Sequence, residues 1–430
     1  MLGMNYRLKE LQENNKPIRV GIVGAGQMGR GLISQLYKMK GMTPSVICDI
    51  DVDKVLYAFT KSNITKDDYI ITNKLSQAND AINKGKIVVS EDKSIASFVE
   101  GTDAVVDATG FTDIGAEIAI DTINNGKHIV MLDVEADVVV GPILKQKADK
   151  AGVIYTGSAG DEPGAVKEMF DFCEALAFDI KVIGKGKNNE VDHSCTPDSI
   201  RDYAISRGVS PKMQCSFSDG TKNMVELCCM ANSTGLVPDV RGGHGPKSDI
   251  KELVKILSLK EEGGILNNYG VVEWVNGIAP GVFCIISTDL EFVHHELQYL
   301  RIGDGPNYVL YRPYHLCGME TPLTIARAVL DKANTIVPMK GLVCETITIA
   351  KKDLKKGEKI DGIGGFSTYG TIDKREIAKE LNALPIGLIN SNTVMAKDVK
   401  KGEVVTYDDV ILDEDSLVVK LRQEQDKIFE

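Results

Sequence analysis

The sequence predicts an α/β protein: a Rossmann-type, doubly wound parallel sheet, followed by an α+β substrate or dimerisation domain and a small all-β domain. Three observations predict it. A glycine-rich turn stands between a buried strand and an amphipathic helix near the start. Strand-like and helix-like stretches then alternate to about residue 155. Beyond residue 160 the texture changes to short β-like runs separated by Gly- and Asn-rich turns. Alternation of that kind implies parallel strands joined by right-handed crossovers.

Taken in order, Ile18 to Val23 (IRVGIV) is an apolar run of strand length, and Leu32, Ile33 and Leu36 follow at helical spacing. Ser45 to Asp49 (SVICD) is a second strand. Ile87 to Val89, Ala104 to Asp107, His128 to Leu132 and Val153 to Tyr155 each close a helix-length interval. Gly126 and Gly152 fall just past helical patterns at 115–125 and 141–151, where a left-handed cap is expected. IKVIG, FCIIS and YVLY are the strands of the second region, and His294-His295-Glu296 is assigned to a strand as well, so its side chains alternate faces and cannot share a metal. Residues 321–333 form an amphipathic helix expected to return to the first domain. The predicted domains are 1–160, 161–340 and 341–430. The last holds an imperfect echo, AKKDLKKGEKI against AKDVKKGEVV, which suggests two similar turns in a small β domain.

Composition narrows the function. The 430 residues carry 50 Lys+Arg against 61 Asp+Glu, a formal charge of -11, so the global field does not favour nucleic acid or any other anion. An anionic ligand must be gripped by a local cluster. Nine scattered cysteines without CxxC spacing argue against a disulfide framework or zinc site. With neither a signal peptide nor a run of about 18 apolar residues, a cytoplasmic protein without membrane contact is expected.

Gly24-Ala25-Gly26-Gln27-Met28-Gly29 has the GxGxxG spacing between strand and helix. The first glycine allows the tight turn, the second lets backbone approach a pyrophosphate, and the third lets helix pack on strand. Asp49 ends the next strand, where an acid accepts from the adenosine ribose; this favours NAD over NADP, with Lys54 able to offset it. Ala108, Thr109 and Gly110 end the strand expected on the nicotinamide side, although a plain strand-end turn would look the same. NAD(P)H is therefore the expected cofactor.

Between 127 and 250, glycine repeatedly adjoins charge, which lets backbone come close to a polar ligand. Lys185, Lys187, Asn188, Lys222, Arg241, His244 and Lys247 are of the types that hold a phosphate or carboxylate. Asp161, Glu162, Asp219 and Glu226 are of the types that move protons or bind a divalent ion, and the sequence leaves both readings open. His315 is a further proton donor or carbonyl partner, or else a core histidine. The catalytic set is expected to be Lys222, Lys185, Glu226 and Asp161, with a helix over 222–231 placing Lys222 and Glu226 on one face. Glu162, Lys187, Asn188, Asp219, Arg241, His244, Lys247 and His315 are expected to bind substrate.

Several motifs (GIVGAGQMGRG, VVDATG, GKHIVMLDVEADVVVGP, AGDEPGA, GKGKNN, SFSDGTKNMVE, ANSTGLVPDVRGGHGP and YRPYHLCGMETPLTIARAVL) resemble the 1-deoxy-D-xylulose 5-phosphate reductoisomerase-like family of homoserine-dehydrogenase-like oxidoreductases. AKKDLKKGEKIDGIGGF, LPIGLIN and AKDVKKGEVVTYDDV resemble the SAF (β-clip) domain that ends such proteins; the likeness spans residues 17–415. The resemblance implies NADPH-dependent conversion of 1-deoxy-D-xylulose 5-phosphate to 2-C-methyl-D-erythritol 4-phosphate, an isoprenoid precursor, and a homodimer or larger assembly. Asp219-Gly220-Thr221 stands where homoserine dehydrogenases carry Asn-Gly-Thr, which implies a different substrate contact. Two alternatives remain: a dehydrogenase of another sugar phosphate, polyol acid or homoserine-like substrate, and an NAD(H)-binding sensor without chemistry.

Overall fold

The computed structural model describes residues 3–339 and 341–429. They form two compact units: residues 3–161, 316–337 and 420–429 make the first, and residues 162–315, 338–339 and 341–419 the second.

The first unit is a seven-stranded sheet of β1 (Ile18–Val23), β2 (Met42–Cys48), β3 (Tyr69–Ile71), β4 (Ile87–Ser90), β5 (Ala104–Asp107), β6 (His128–Met131) and β7 (Tyr155–Gly157). Its order is β3-β4-β2-β1-β5-β6-β7, and every pairing is parallel. Strands buried on both faces need continuous apolar runs, and Val20, Ile22, Val46, Ile47, Val105 and Val106 are fully buried. The order reverses at β1, which places the crevice at the carboxyl ends of β1 and β5, the topological switch point where ligands bind such sheets. Leu32, Ile33 and Leu36 of the helix Gln27–Lys38 pack into the core, as their spacing requires.

One helix departs from expectation. The pattern at 141–151 is part of a longer helix, Val134–Ala151, with Pro142 in its interior. Proline has no N–H to give and normally breaks a helix. Here the side chain of Gln425 accepts from the Ile143 N–H at 3.1 Å and donates to the Val139 carbonyl at 2.9 Å, satisfying backbone groups beside the break. The segment 321–333 lies in this first unit as a helix, Thr321–Ala326, continued by a wider turn at Arg327–Asp331.

The second unit contains β8 (Asp179–Lys187), β9 (Val237–Pro238), β10 (Val271–Asn276), β11 (Val282–Ser287) and β12 (Asn307–Arg312), in the order β12-β11-β8-β10-β9. This mixed sheet has β8 parallel to β10 and antiparallel to β11. A hairpin-like pair, β13 (Cys344–Ala350) with β14 (Thr368–Lys374), and a small pair, β15 (Val394–Met395) with β16 (Val410–Ile411), follow. His294, His295 and Glu296 are helical, not extended, and lie in the helix Glu291–Tyr299. Val293, Leu297 and Leu300 recur at intervals of four and three, a 3.6-residue period that outweighs the short apolar run. Among the described residues, no helix is long and apolar enough to cross a membrane.

Candidate functional site

In the first unit the glycine loop leaves β1 with Gly24 at φ +104°, and a Cβ there would meet the Ala108 carbonyl oxygen at 2.5 Å. A Cβ on Gly29 would lie 1.9 Å from the Gly24 carbonyl oxygen, so only glycine lets the helix come this close to the strand. Gly26 is different. It is exposed, a Cβ would touch nothing within 4 Å, and no side chain caps the helix that starts at Gln27. Gly26, Gln27 and Met28 therefore present open backbone at a helix N-terminus, which fits a pyrophosphate.

Asp49 closes this loop onto β2. Its Oδ2 accepts the Ala25 N–H at 2.6 Å and its Oδ1 the Asp51 N–H at 2.9 Å, while Lys54 Nζ stands 4.0 Å from Oδ1. A carboxylate has lone pairs left for a ribose after two such bonds. Asp107, at the end of β5, accepts the backbone and hydroxyl of Thr109 through Oδ1, whereas its buried Oδ2 has no hydrogen-bond partner. Burial, opposed by those bonds and aided by Glu135, raises its pKa to about 6.

In the second unit the alternation of β8 puts Lys185 and Lys187 on one face. Lys185 is buried, with Nζ 2.7 Å from Glu162 Oε1 and also bonded to Glu226 Oε2. Glu162 opens the helix Glu162–Ala175, whose N-terminal field favours an acid, and Glu226 lies on the helix Thr221–Thr234. Burial alone would lower the Lys185 pKa, but the two carboxylates outweigh it and hold the ammonium charged. Burial and the adjacent Glu162 push Glu226 up, against Lys185 and Lys222. Two acids thus share one cation, and Glu226 holds a proton more readily than an ordinary glutamate. His315 joins the group through Nε2, 3.4 Å from Glu162 Oε2, while its Nδ1 meets the Pro280 carbonyl at 2.9 Å.

Lys187 Nζ bonds to Asn189 Oδ1 at 2.8 Å and to the Phe217 carbonyl, near the end of the helix Pro211–Ser218, at 2.9 Å. Burial and the neighbouring Lys185 ammonium lower its pKa from 10.5 to about 8, against Glu226, Asp219 and Glu162. It is the lysine here tuned to exchange a proton near neutrality. Lys222 is half-buried beside Glu226, in agreement with the predicted helical spacing.

The structure brings together Lys185, Lys187, Glu162, Glu226, Lys222 and His315, and it gives several of the other expected residues partners within the protein. Asp219 is fully buried, and its carboxylate is taken by Lys351 Nζ at 2.7 Å and the Thr221 N–H at 2.8 Å, so it is no substrate contact. Arg241 is committed to Asp373 at 2.6 Å and lines a separate hollow of about 320 Å³ with Pro238, Lys374 and Ile377. His244 is committed to Asp239 at 2.8 Å, and its loop is pinned by the buried Glu273, which accepts the His244 N–H at 2.8 Å. Lys247 and Asn188 are exposed. Asp161 is buried immediately before the helix that Glu162 opens. Sequence reasoning missed Asn223: it is 4% exposed, and neither of its amide atoms has a hydrogen-bond partner.

Residues 160–321 match the family model described as oxidoreductase DRL, catalytic domain. That segment contains the whole Lys185 cluster. Together with the dinucleotide-binding geometry of the first unit, it defines the class: an NAD(P)-dependent oxidoreductase. No curated protein matches the chain. Among solved structures, similarity is found to a probable dehydrogenase from Thermotoga maritima (14% identity, 74% of this chain and 90% of that one, TM-score 0.43). It is also found to scyllo-inositol dehydrogenase from Lactobacillus casei with bound NAD(H) and scyllo-inositol (15%, 63% and 74%, TM-score 0.33). A third is a DOX-P reductoisomerase with fosmidomycin and magnesium (16%, 49% and 56%, TM-score 0.34). The fold assignment rests on the chain's own sheet order, and the class on residues 160–321 and the glycine loop.

Proposed function

We propose that the chain uses NAD(P)H to reduce a small phosphorylated or carboxylated sugar-like carbonyl compound, and that the candidate reaction is reductoisomerisation of 1-deoxy-D-xylulose 5-phosphate. The carrying observation is the group of buried Lys185, Glu226 and Lys187 with half-buried Glu162 inside the segment matched by the oxidoreductase catalytic-domain model. Bound NAD(P)H supplies hydride. Gly24, Gly26 and Gly29 would shape its cradle, and Asp49 would accept from its ribose.

The proton comes from the protein. Lys187, charged at pH 7 with a pKa of about 8, donates to the alkoxide that forms as the carbonyl is reduced. Lys185 stays charged between its two acids and donates its third N–H to a substrate oxygen, while Glu226, pushed toward its protonated form by burial and Glu162, exchanges a proton with the substrate. Rearrangement of the carbon skeleton places negative charge on adjacent oxygens, which Lys185 and Lys222 stabilise in place. A divalent ion at Glu162 and Glu226 would compete with the Lys185 ammonium for the same carboxylates.

The test is turnover of 1-deoxy-D-xylulose 5-phosphate with NADPH and with NADH, each with and without Mg²⁺ or Mn²⁺, and product identification by NMR. A branched product supports the reading. An unbranched reduced product assigns a simple dehydrogenase, and no nicotinamide oxidation with this or related sugar phosphates refutes the substrate class.

A further inference from the structure

The turn Asp219-Gly220-Thr221 joins the helix Pro211–Ser218 to the helix that carries Lys222, Asn223 and Glu226. Gly220 has φ +90°, so the chain reverses there in a conformation that holds its shape only when the flanking residues are fixed. They are fixed largely from one side. Lys351, just beyond β13, has a side chain 3% exposed, and its ammonium bonds to Asp219 Oδ2 at 2.7 Å and to the Cys195 and Gly365 carbonyls at 2.8 Å each. Three oxygens use all three donors of an ammonium.

Further contacts come from the same segment. The Gly370 N–H donates to Thr221 Oγ1 at 2.9 Å, and His193, whose Nδ1 meets the Asp219 carbonyl at 2.8 Å, stacks on Tyr369 with ring centres 4.1 Å apart. Asp219 Oδ1 accepts the Thr221 N–H across Gly220, which closes the turn just before the helix. An amide at position 219 could make that last bond, but it could not balance a buried ammonium. The acid and the lysine therefore belong together as a pair, although 132 residues separate them in sequence (351 − 219).

We propose that Lys351 is a positioning residue: through its buried ion pair with Asp219 it sets the turn from which the Lys222–Glu226 helix starts, so the C-terminal β-rich segment governs the reacting groups without touching substrate. The proposal rests on the reading of the Lys185 cluster as the catalytic centre. It explains why position 219 carries an acid and why the segment beyond residue 340 is tied to the oxidoreductase domain at this turn.

The experiment uses the full chain and a cycle of Lys351→Met, Asp219→Asn and the double variant, with Lys351→Arg as the charge-conserving control. Hydrogen exchange is followed at residues 219–227 and, for comparison, in β8 and β11. Each neutralising single variant should exchange at least about tenfold faster in the turn and first helical turn while β8 and β11 keep wild-type rates. The double variant, with neither charge buried alone, should return to within about fivefold of wild type. Turnover should fall at least about tenfold in the singles through kcat, leave the KM for NAD(P)H unchanged within about twofold, and recover in the double and in Lys351→Arg.

Uniformly faster exchange across the second unit, additive effects in the double variant, or full turnover with a loosened turn would each overturn the proposal. If a single variant does not fold, the double decides: a folded double with a protected turn and recovered turnover supports the pairing, and a double that also fails to fold, or folds with a loosened turn and lost turnover, overturns it. Wild-type protein that never oxidises NAD(P)H would refute the functional reading while leaving the exchange measurements able to test the pairing.

Discussion

Replacing Lys187 by methionine removes one titrating group and keeps most of the stem that packs around it. In the folded protein Lys187 has a pKa of about 8 because burial and the Lys185 ammonium disfavour its charged form, whereas in the unfolded chain it returns to about 10.5. The sign follows from proton counting. Below pH 8 both states hold the proton and the folded state bears the full cost of a buried charge. Between 8 and 10.5 the unfolded chain binds more protons, so the stability contributed by this position rises with pH. At about 1.4 kcal/mol per pH unit, the interval amounts to about 3 kcal/mol in wild type and to nothing in Lys187→Met. Denaturant unfolding of both proteins from pH 7 to 10.5 gives the difference curve, in which other titrating groups cancel. Methionine should be the more stable variant at pH 7, with wild type closing the gap above pH 8. In catalysis the same group must be protonated to donate, so wild-type kcat/KM should fall as pH rises through about 8, and the variant should lose at least about two orders of magnitude of turnover at pH 7. A flat stability difference across the range would show that Lys187 keeps an ordinary pKa. An unchanged alkaline limb in an active Lys187→Met variant would assign the proton transfer to another residue.

Three further outcomes are expected. Lys185→Met leaves buried Glu226 and half-buried Glu162 without their cation, which should cost about 3–5 kcal/mol at pH 7.5 by denaturant unfolding; the deficit should shrink as acid protonates them, and a pH-independent deficit would mean that packing alone was lost. Asp49 should make NADH bind at least about tenfold more tightly than NADPH in fluorescence titration; Asp49→Ser should weaken both, because the Ala25 N–H loses its acceptor, yet narrow the ratio, and tighter NADPH binding by wild type would show that Lys54 overrides the carboxylate. Asn223→Leu removes two buried amide atoms that have no partners, so it should stabilise the protein by about 1–3 kcal/mol in denaturant unfolding; a loss of stability would show that the site does not accept the larger side chain.

The dinucleotide unit is legible because its determinants are local. Gly24, Gly26 and Gly29 are fixed by sterics within one turn, and Asp49 follows at the end of the adjacent strand. The cluster is legible in part. Lys185 and Lys187 share a face by strand alternation, and Lys222 and Glu226 by helical spacing, but no local rule shows that Glu226 bonds to Lys185, 41 residues away. The same limit hid the roles of Asp219 and Arg241, whose partners Lys351 and Asp373 are 132 residues distant in each case. Charged residues beside glycines look alike in sequence whether they face a ligand or one another. Pro142 illustrates the converse: the sequence pattern reads as a helix over 141–151, and Gln425, 283 residues beyond Pro142, satisfies the backbone beside the proline so that the helix runs from Val134.

That last contact bears on how the molecule is made. During synthesis the glycine loop and β1 to β7 leave the ribosome long before residues 420–429, yet the helix containing Pro142 lacks its Gln425 partner until those residues arrive. The second unit must thread out in between, so the nucleotide-binding sheet waits in an unfinished state while the 236 residues of the other unit are produced. Contacts of such long sequence separation slow folding and keep apolar surface exposed for longer, so loss of the segment behind residue 419 should first loosen the helix around Pro142, whose Ile143 N–H and Val139 carbonyl it satisfies.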